Sequence, residues 1–254
     1  MKYDYSIICP SIRVNNLVTV YDSIKKSYSG SSELVVVSPY DLPSPLQGKE
    51  DVKIINSWAS PIACQQIGLQ ECEGKYISWA ADDGWYLPNA LDVAFKHLES
   101  TPNSVVVGKY NEGPQNPHMN KMEYYYFGKH DGSRARFSPT DCLMLMCGVV
   151  SRETLLEVGG WDAESFEVCP MAYIDLSIRL YHKKMNFIFQ EEMMFCCSHT
   201  PGLTGDHGPI HLAQTLHDSP YFKIIYSKPE SQQRINIDMD NWKKAPDKWT
   251  RRFK

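Results

Sequence analysis

Up to Gly108 the chain alternates between short continuous apolar runs and longer stretches with helical spacing. Residues 5–9 are apolar and are closed by Pro10. Residues 16–27 place Leu17, Val20 and Ile24, with Tyr28 following, on one side of a helix. Residues 33–37 lead into Ser38-Pro39, and residues 52–55 form a third short run. Residues 61–72 read as a helix with proline in its first turn and Gly74 past its end. Residues 76–81 read as a fourth strand, 88–98 as the next helix and 104–107 as a fifth strand. Strands that are apolar throughout are buried on both faces. Strand–helix alternation then gives an α/β fold with a mostly parallel sheet and right-handed crossovers.

The rhythm breaks after Gly108. Residues 109–140 are rich in Asn, Gly, Pro, Tyr and charge, as in a long functional loop. Within them, residues 124–127 (YYYF), followed by Arg134 and Arg136, suit either stacking on a sugar face or packing of the insertion. Residues 142–150 return as a strand, 152–158 as a short helix, 173–182 as a helix, and 187–189 and 193–197 as strands. Loop and short helix follow Ser198.

Composition narrows the class. At 254 residues and 43% hydrophobic content, the chain can bury one sizeable core. A net charge of −4 gives no general attraction to nucleic acid. The eight cysteines form no C-x-x-C pair and sit mostly in apolar runs, as small hydrophobes in a reducing compartment do. The opening apolar run is too short for a leader, and no stretch approaches the ~18 apolar residues of a membrane span. These features predict a soluble cytoplasmic protein.

Three segments carry candidate chemistry. In GKYISWAADDG, an apolar strand runs straight into Asp82 and Asp83. Open α/β sheets bind ligands beyond the carboxyl ends of their strands. Adjacent carboxylates there repel each other unless a cation or a hydrogen-bonding ligand offsets the charge. A divalent metal holding a diphosphate would do so; a solvated acidic turn capping a helix is the plainer alternative. His199, His207 and His211 crowd a loop able to reach back to the same edge, as metal or phosphate ligands, without the four-ligand pattern of a closed zinc site. Residues 242–254 set Lys243, Lys244, Lys248, Arg251, Arg252 and Lys254 among Trp242, Trp249 and Phe253. That composition fits either a tail docking on the inner face of an anionic membrane or a solvated terminus.

Taken together, residues 4–200 resemble family 2 glycosyltransferases of the GT-A fold. SIICPSIR is similar to that family's opening strand, SPIACQQIGLQECEGKYISWAADDGWYLPNAL to its D-x-D block, and GGWDAESF with YIDLSIRL to its acceptor-side block. The resemblance implies a Rossmann-like GT-A domain with a small antiparallel element. Residues 1–108 would bind the nucleotide-sugar, 109–140 form a variable loop, 141–200 bind the acceptor, and 201–254 form a C-terminal extension. It also implies inverting transfer of a sugar, from a UDP-sugar as the expected donor, to a saccharide or lipid-linked saccharide hydroxyl during surface polysaccharide assembly. Mn²⁺ or Mg²⁺ would assist.

The site residues carried by the resemblance are Pro10, Ser11, Arg13, Ser38, Gln65, Gln66, Asp82 and Asp83 for the donor. Asp83, His199 and His207 would hold the metal. Asp175 would be the base, with Glu164 and Glu167 as alternatives, and Trp85 and Trp161 would line the acceptor pocket. Each has a plainer reading: Asp175 can pair with Arg179 at i+4, and both tryptophans can be core. Several positions depart from the family pattern. Ala81 replaces the first acid of D-x-D, Ser38-Pro39 the two acids after the second strand, Gln65-Gln66 the Arg-Asn pair, and Tyr173 the usual base. Ala81 and Tyr173 favour an alternative, a nucleotide-sugar-binding protein impaired in catalysis. A sugar nucleotidyltransferase is a further alternative, but it needs a Gly-rich loop after the first strand, and CPSIRVNN has no glycine.

Overall fold

The structure, a computed structural model, describes residues 1–111, 113, 125–127, 142–197, 207–228 and 233–253. The first half is β1 (Tyr3–Pro10), α1 (Leu17–Ser27), β2 (Ser32–Ser38), β3 (Val52–Asn56), α2 (Pro61–Gln70), β4 (Gly74–Trp79), β5 (Gly84–Tyr86), α3 (Ala90–Ser100) and β6 (Ser104–Asn111). The second half is β7 (Tyr125–Phe127), β8 (Cys142–Met144), β9 (Gly148–Ser151), α4 (Arg152–Glu157), α5 (Cys169–His182), β10 (Asn186–Cys197), α6 (Gly208–Ala213) and α7 (Ser219–Tyr226).

Among the described residues, eight strands form one sheet in the order β3-β2-β1-β4-β9-β6-β10-β5. β3, β2, β1 and β4 pair in parallel, as do β6 and β10. β9 runs against both β4 and β6, and β5 runs against β10 at the far edge. The α/β fold with a mostly parallel sheet is therefore the one observed. A separate two-stranded ribbon pairs β7 with β8.

The sheet is the middle of three layers, which is why its strands are apolar throughout. Ile8, Val35, Ile77, Val105 and Val150 face one side, packing with residues of α2, α4, α5 and α7. Their neighbours Ile7, Cys9, Val36, Tyr76, Val106 and Val149 face the other side, toward α1 and α3. Local signals start the helices where the chemistry needs them. Ser60 caps α2 by accepting from Ala63 N at 3.3 Å, with Pro61 in the first turn.

Two stretches differ from the sequence expectation. Residues 142–150 split in two, because Met146 N turns back to Met144 O at 2.7 Å before β9 enters the main sheet. The expected strands 187–189 and 193–197 are one strand, β10, bent by register shifts between Phe189 and Phe195.

Residues 233–251 return to the body. Ile237 N donates to Val158 O, and Gln66 Nε2 donates to Met239 O and Gly159 O. Gly159 and Gly160 make this approach possible. Both have positive φ, +84° and +68°, and an added Cβ would lie 2.2 Å from Ile237 O or from Gln66 Oε1.

The two tryptophans of the described tail, Trp242 and Trp249, pack on the protein. Trp249 is 5% exposed, against Val168 and Ala213, and Trp242 lies against the main core. Lys243 pairs with Asp240, Lys244 with Glu164 and Arg251 with Glu167. No helix of the described residues is long and apolar enough to cross a membrane.

Candidate functional site

Parallel pairing of β1 with β4 sets Ile8 opposite Trp79, so the carboxyl ends of the two strands lie side by side. Beyond β1 the chain turns through Ser11, Ile12 and Arg13; beyond β4 it reaches Asp82 and Asp83. These two turns are stitched together. Asp82 Oδ2 accepts from Ser11 Oγ at 3.0 Å, Ile12 N at 3.0 Å and Arg13 N at 2.8 Å. Its Oδ1 accepts from Arg13 Nε at 2.9 Å and Nη2 at 2.5 Å. Five donors saturate a carboxylate that is 4% exposed. Here the turn-ordering role of Asp82 is plain in the geometry.

Asp83 is placed differently. Its Oδ2 lies 3.1 Å from Arg13 Nη2, so one guanidinium edge spans both carboxylates. The Cys197 thiol, at the end of β10, donates to Asp83 Oδ1 at 3.5 Å and in turn accepts from Tyr110 at 2.9 Å. The Arg13 side chain is 28% exposed, against 5% and 8% for the two aspartates. The cluster is felt at Cys9: burial first, then Asp82 and Asp83, push its thiol well above its ordinary value, and Arg13 offsets them least.

α5 starts at this same end of the sheet, and Tyr173 projects from it beside Trp79, with ring centroids 5.8 Å apart. Its hydroxyl donates to Gln65 Oε1 at 3.1 Å. Burial drives the Tyr173 phenol well above its ordinary value, so it stays protonated and cannot serve as a base. The Gln65 amide nitrogen is buried beside it without a partner.

The remaining expected site residues are dispersed. Ser38 is fully buried and caps the turn after β2 by accepting from Tyr40 N. Pro10 closes β1 next to Ser11. Gln66 ties Trp161 N, Gly159 O and Met239 O together, which is structural work. Trp161 is 0% exposed and stacks edge-on against Trp79 at 5.4 Å; it is core, and the acceptor-wall expectation for it is corrected. Trp85 lies on the edge strand β5 opposite Cys196, partly exposed. His207 precedes α6, and His211 is exposed on it. His199, residue 124, Arg134 and Arg136 lie outside the described residues, and of residues 125–127 the backbone alone is described.

The expectation that Asp175 is the base is corrected most clearly. Asp175 is 0% exposed, and its oxygens take Arg179 Nε at 2.8 Å, Arg234 Nη1 at 3.0 Å and Tyr226 Oη at 2.7 Å. A carboxylate so enclosed cannot take a proton from a bound hydroxyl. The i+4 pair with Arg179 was visible in the sequence; Arg234 and Tyr226, on segments far along the chain, were not. Glu164 is exposed on Lys244, and Glu167 is held by Trp249 Nε1 and Arg251. Asp218, which carried no sequence signal, is fully buried and accepts from Glu167 N and Val168 N just before α5.

The fold is shared with S. aureus TarS. The structure of TarS 1–349 matches with a TM-score of 0.57 at 15% identity, over 77% of this chain and 60% of that one. The complex with UDP matches at 0.56 and 14% identity, over 78% and 61%. The complex with UDP-GlcNAc matches at 0.54 and 15% identity, over 78% and 59%. The chain thus spans about three-fifths of these TarS structures, and at such identity the likeness establishes the fold. No family model and no curated protein sequence matches the chain.

Whether these residues suit the metal that a GT-A fold implies follows from the donor set. Asp82 has no lone pair to offer. Among the described residues no three His, Cys, Asp or Glu side chains gather as a metal set. Of the two aspartates, Asp83 is the one that could offer a carboxylate oxygen to a metal. One carboxylate suffices for Mg²⁺ or Mn²⁺ when diphosphate oxygens and waters complete the shell. The fit is therefore to a cation arriving with its ligand.

Proposed function

We propose that the chain binds a nucleoside-diphosphate sugar, with UDP-sugar as the expected donor, across the carboxyl edge formed by β1, β4 and β10. It then transfers the sugar to an acceptor hydroxyl. The observation that carries this reading is the cluster of Ser11, Arg13, Asp82 and Asp83 at the edge where an α/β sheet receives ligands. Its support from outside is the fold shared with TarS, which has been crystallised with UDP and UDP-GlcNAc.

In the transfer, the acceptor oxygen forms a bond to the anomeric carbon. The bond from that carbon to the diphosphate breaks, and its electron pair leaves with the phosphate oxygen. The hydroxyl proton passes to a base. Asp82 and the backbone of Ser11–Arg13 give the edge a fixed shape, and Arg13 supplies a guanidinium matched to phosphate oxygens. Asp83 is the residue that would hold Mn²⁺ or Mg²⁺, which when bound offsets charge on the leaving diphosphate. Inversion at the anomeric carbon, a saccharide acceptor and a place in surface polysaccharide assembly extend the proposal on the family resemblance.

A second reading, a nucleotide-sugar-binding protein without transfer, is favoured by one observation. Tyr173 stands at the usual base position, and Asp175, Glu164 and Glu167 are all engaged elsewhere. Calorimetry with UDP, UDP-GlcNAc and a panel of other nucleotide-sugars, with Mn²⁺ or with EDTA, tests binding. Slow donor hydrolysis by the same samples separates the readings: a transfer-competent site leaks to water, and a binding protein does not. Absence of binding to the whole panel refutes both.

A further inference from the structure

The helical segment 208–226 carries an apolar stripe on its outer face that the proposed function does not use. Leu212, Leu216, Tyr221 and Ile224 are 52%, 66%, 47% and 55% exposed, and Pro220 is exposed between them. The segment is held from its inner side. Ala213 packs with Val168 and Trp249, and Phe222 and Tyr226 join the main core. Asp218 is fully buried and accepts from Glu167 N at 3.0 Å and Val168 N at 2.9 Å. The inward positions are thus 213, 218, 222 and 226, and a wide π turn over Gln214–Asp218 takes the step of five. In a regular α-helix a stripe at every fourth residue rotates by about 40° per step. The wide turn takes up part of that drift, so Leu212, Leu216, Pro220 and Ile224 run along one outer line.

We infer that this face rests on an anionic lipid bilayer, lying in the headgroup layer without crossing it. Charge selects the partner. The segment exposes His211, Lys223 and Lys228, and its one acid, Asp218, is buried. Beneath it, the Glu167 carboxylate is paired with Arg251. In a two-fold contact between copies each patch meets itself. This patch would then bring lysine toward lysine, with no exposed acid of the segment to offset them. It is also small for such a contact. Four half-exposed side chains offer on the order of 400 Å², about half of the ~800 Å² per partner in a standard interface. A bilayer demands neither a matching shape nor a large area. Leucine and isoleucine enter the acyl boundary, Tyr221 sits at headgroup level, and the lysines meet lipid phosphate.

The test is co-sedimentation of the full chain with vesicles of phosphatidylglycerol and phosphatidylcholine in equal parts, against phosphatidylcholine alone. The wild-type protein should pellet with the mixed vesicles, and less so as salt is raised. Leu216→Glu combined with Ile224→Glu should weaken that binding at least about tenfold and leave the melting transition unchanged, because both side chains face solvent. If this double variant melts early, Leu216→Ser with Ile224→Ser removes the same apolar area without added charge and should act in the same direction. Lys223→Gln and Lys228→Gln should each cost roughly fivefold on the mixed vesicles and nothing on phosphatidylcholine alone. None of these changes should alter nucleotide binding, so failure of the surface and failure of the proposed function read out separately. Wild-type protein that stays in the supernatant with the mixed vesicles overturns the proposal, as does equal pelleting of wild type and the Leu216 and Ile224 variants. A wild-type dimer that Leu216→Glu with Ile224→Glu converts to a monomer also overturns it, by making the stripe a contact between copies.

Discussion

The molecule has two aspartate–arginine clusters, and they are built to opposite ends. At the carboxyl edge, Asp82 and Asp83 share Arg13, whose guanidinium is partly exposed. Behind α5, Asp162 and Asp175 face Arg179 and Arg234, two charges against two. Arg179 is 0% exposed and also donates to Val158 O and Gly160 O, both at 2.6 Å. Burial opposes the charge of Arg234, yet the Asp175 and Asp162 carboxylates outweigh it and hold the guanidinium above its ordinary value. The lesson is that burial, more than residue type, separates a joint from a site. Behind α5, Asp175 and Arg179 are fully buried and Arg234 is 19% exposed; at the edge the guanidinium lies nearest the solvent, at 28%.

The largest expected effect lies in the closed cluster. Asp175→Ala leaves the buried Arg179 guanidinium, and the half-buried one of Arg234, short of a partner, which should cost about 3–5 kcal/mol in urea unfolding. The folded fraction should bind nucleotide as wild type does. A small stability loss with lost binding would reverse the roles assigned to the two clusters. Arg234→Met should cost somewhat less, about 1–3 kcal/mol, because Arg179 and Tyr226 still serve Asp175 while Asp162 loses its charged donor. If that variant unfolds at the wild-type urea midpoint, the C-terminal segment is not part of the joint.

Arg13→Ala should show the converse. Asp82 and Asp83 are nearly buried, so losing the guanidinium should cost about 1–3 kcal/mol, less than Asp175→Ala, while nucleotide binding weakens. A loss on the scale of Asp175→Ala would make Arg13 structural. The smallest effect is expected at Lys53, whose pair with Glu71 at 2.6 Å is about half exposed on both sides. Lys53→Ala should leave the melting temperature unchanged within error, and a clear drop would mean that burial is not what separates these pairs.

What could be read from the sequence was local. The apolar runs of β1, β2 and β4 declare burial on both faces. The pairing of Asp175 with Arg179 lies one helical turn apart and was visible as an alternative. What the sequence hid was distant. Asp82 meets the backbone and side chain of Arg13 across 69 positions, and Asp175 meets Arg234 across 59. Nothing in local spacing encodes such meetings. Trp161, Trp242 and Trp249 look alike to a sequence reader as candidate surface aromatics, and only packing assigns them to the interior. The break between β8 and β9 leaves no mark in the sequence, because one apolar run serves two sheets.

The position of Arg234 has a consequence for biosynthesis. Asp162 leaves the ribosome well before Arg234, its charged partner, and Asp175 well before the second of its two guanidinium groups, as does the Glu167 carboxylate before Arg251. Domains tend to fold from the N-terminal side as they are made. The first four parallel strands and α1 to α3 can therefore settle while the α5 region still carries unmatched charge. A nascent chain halted anywhere between His182 and Arg234 would present that region half-assembled, and so a ready substrate for chaperones and proteases.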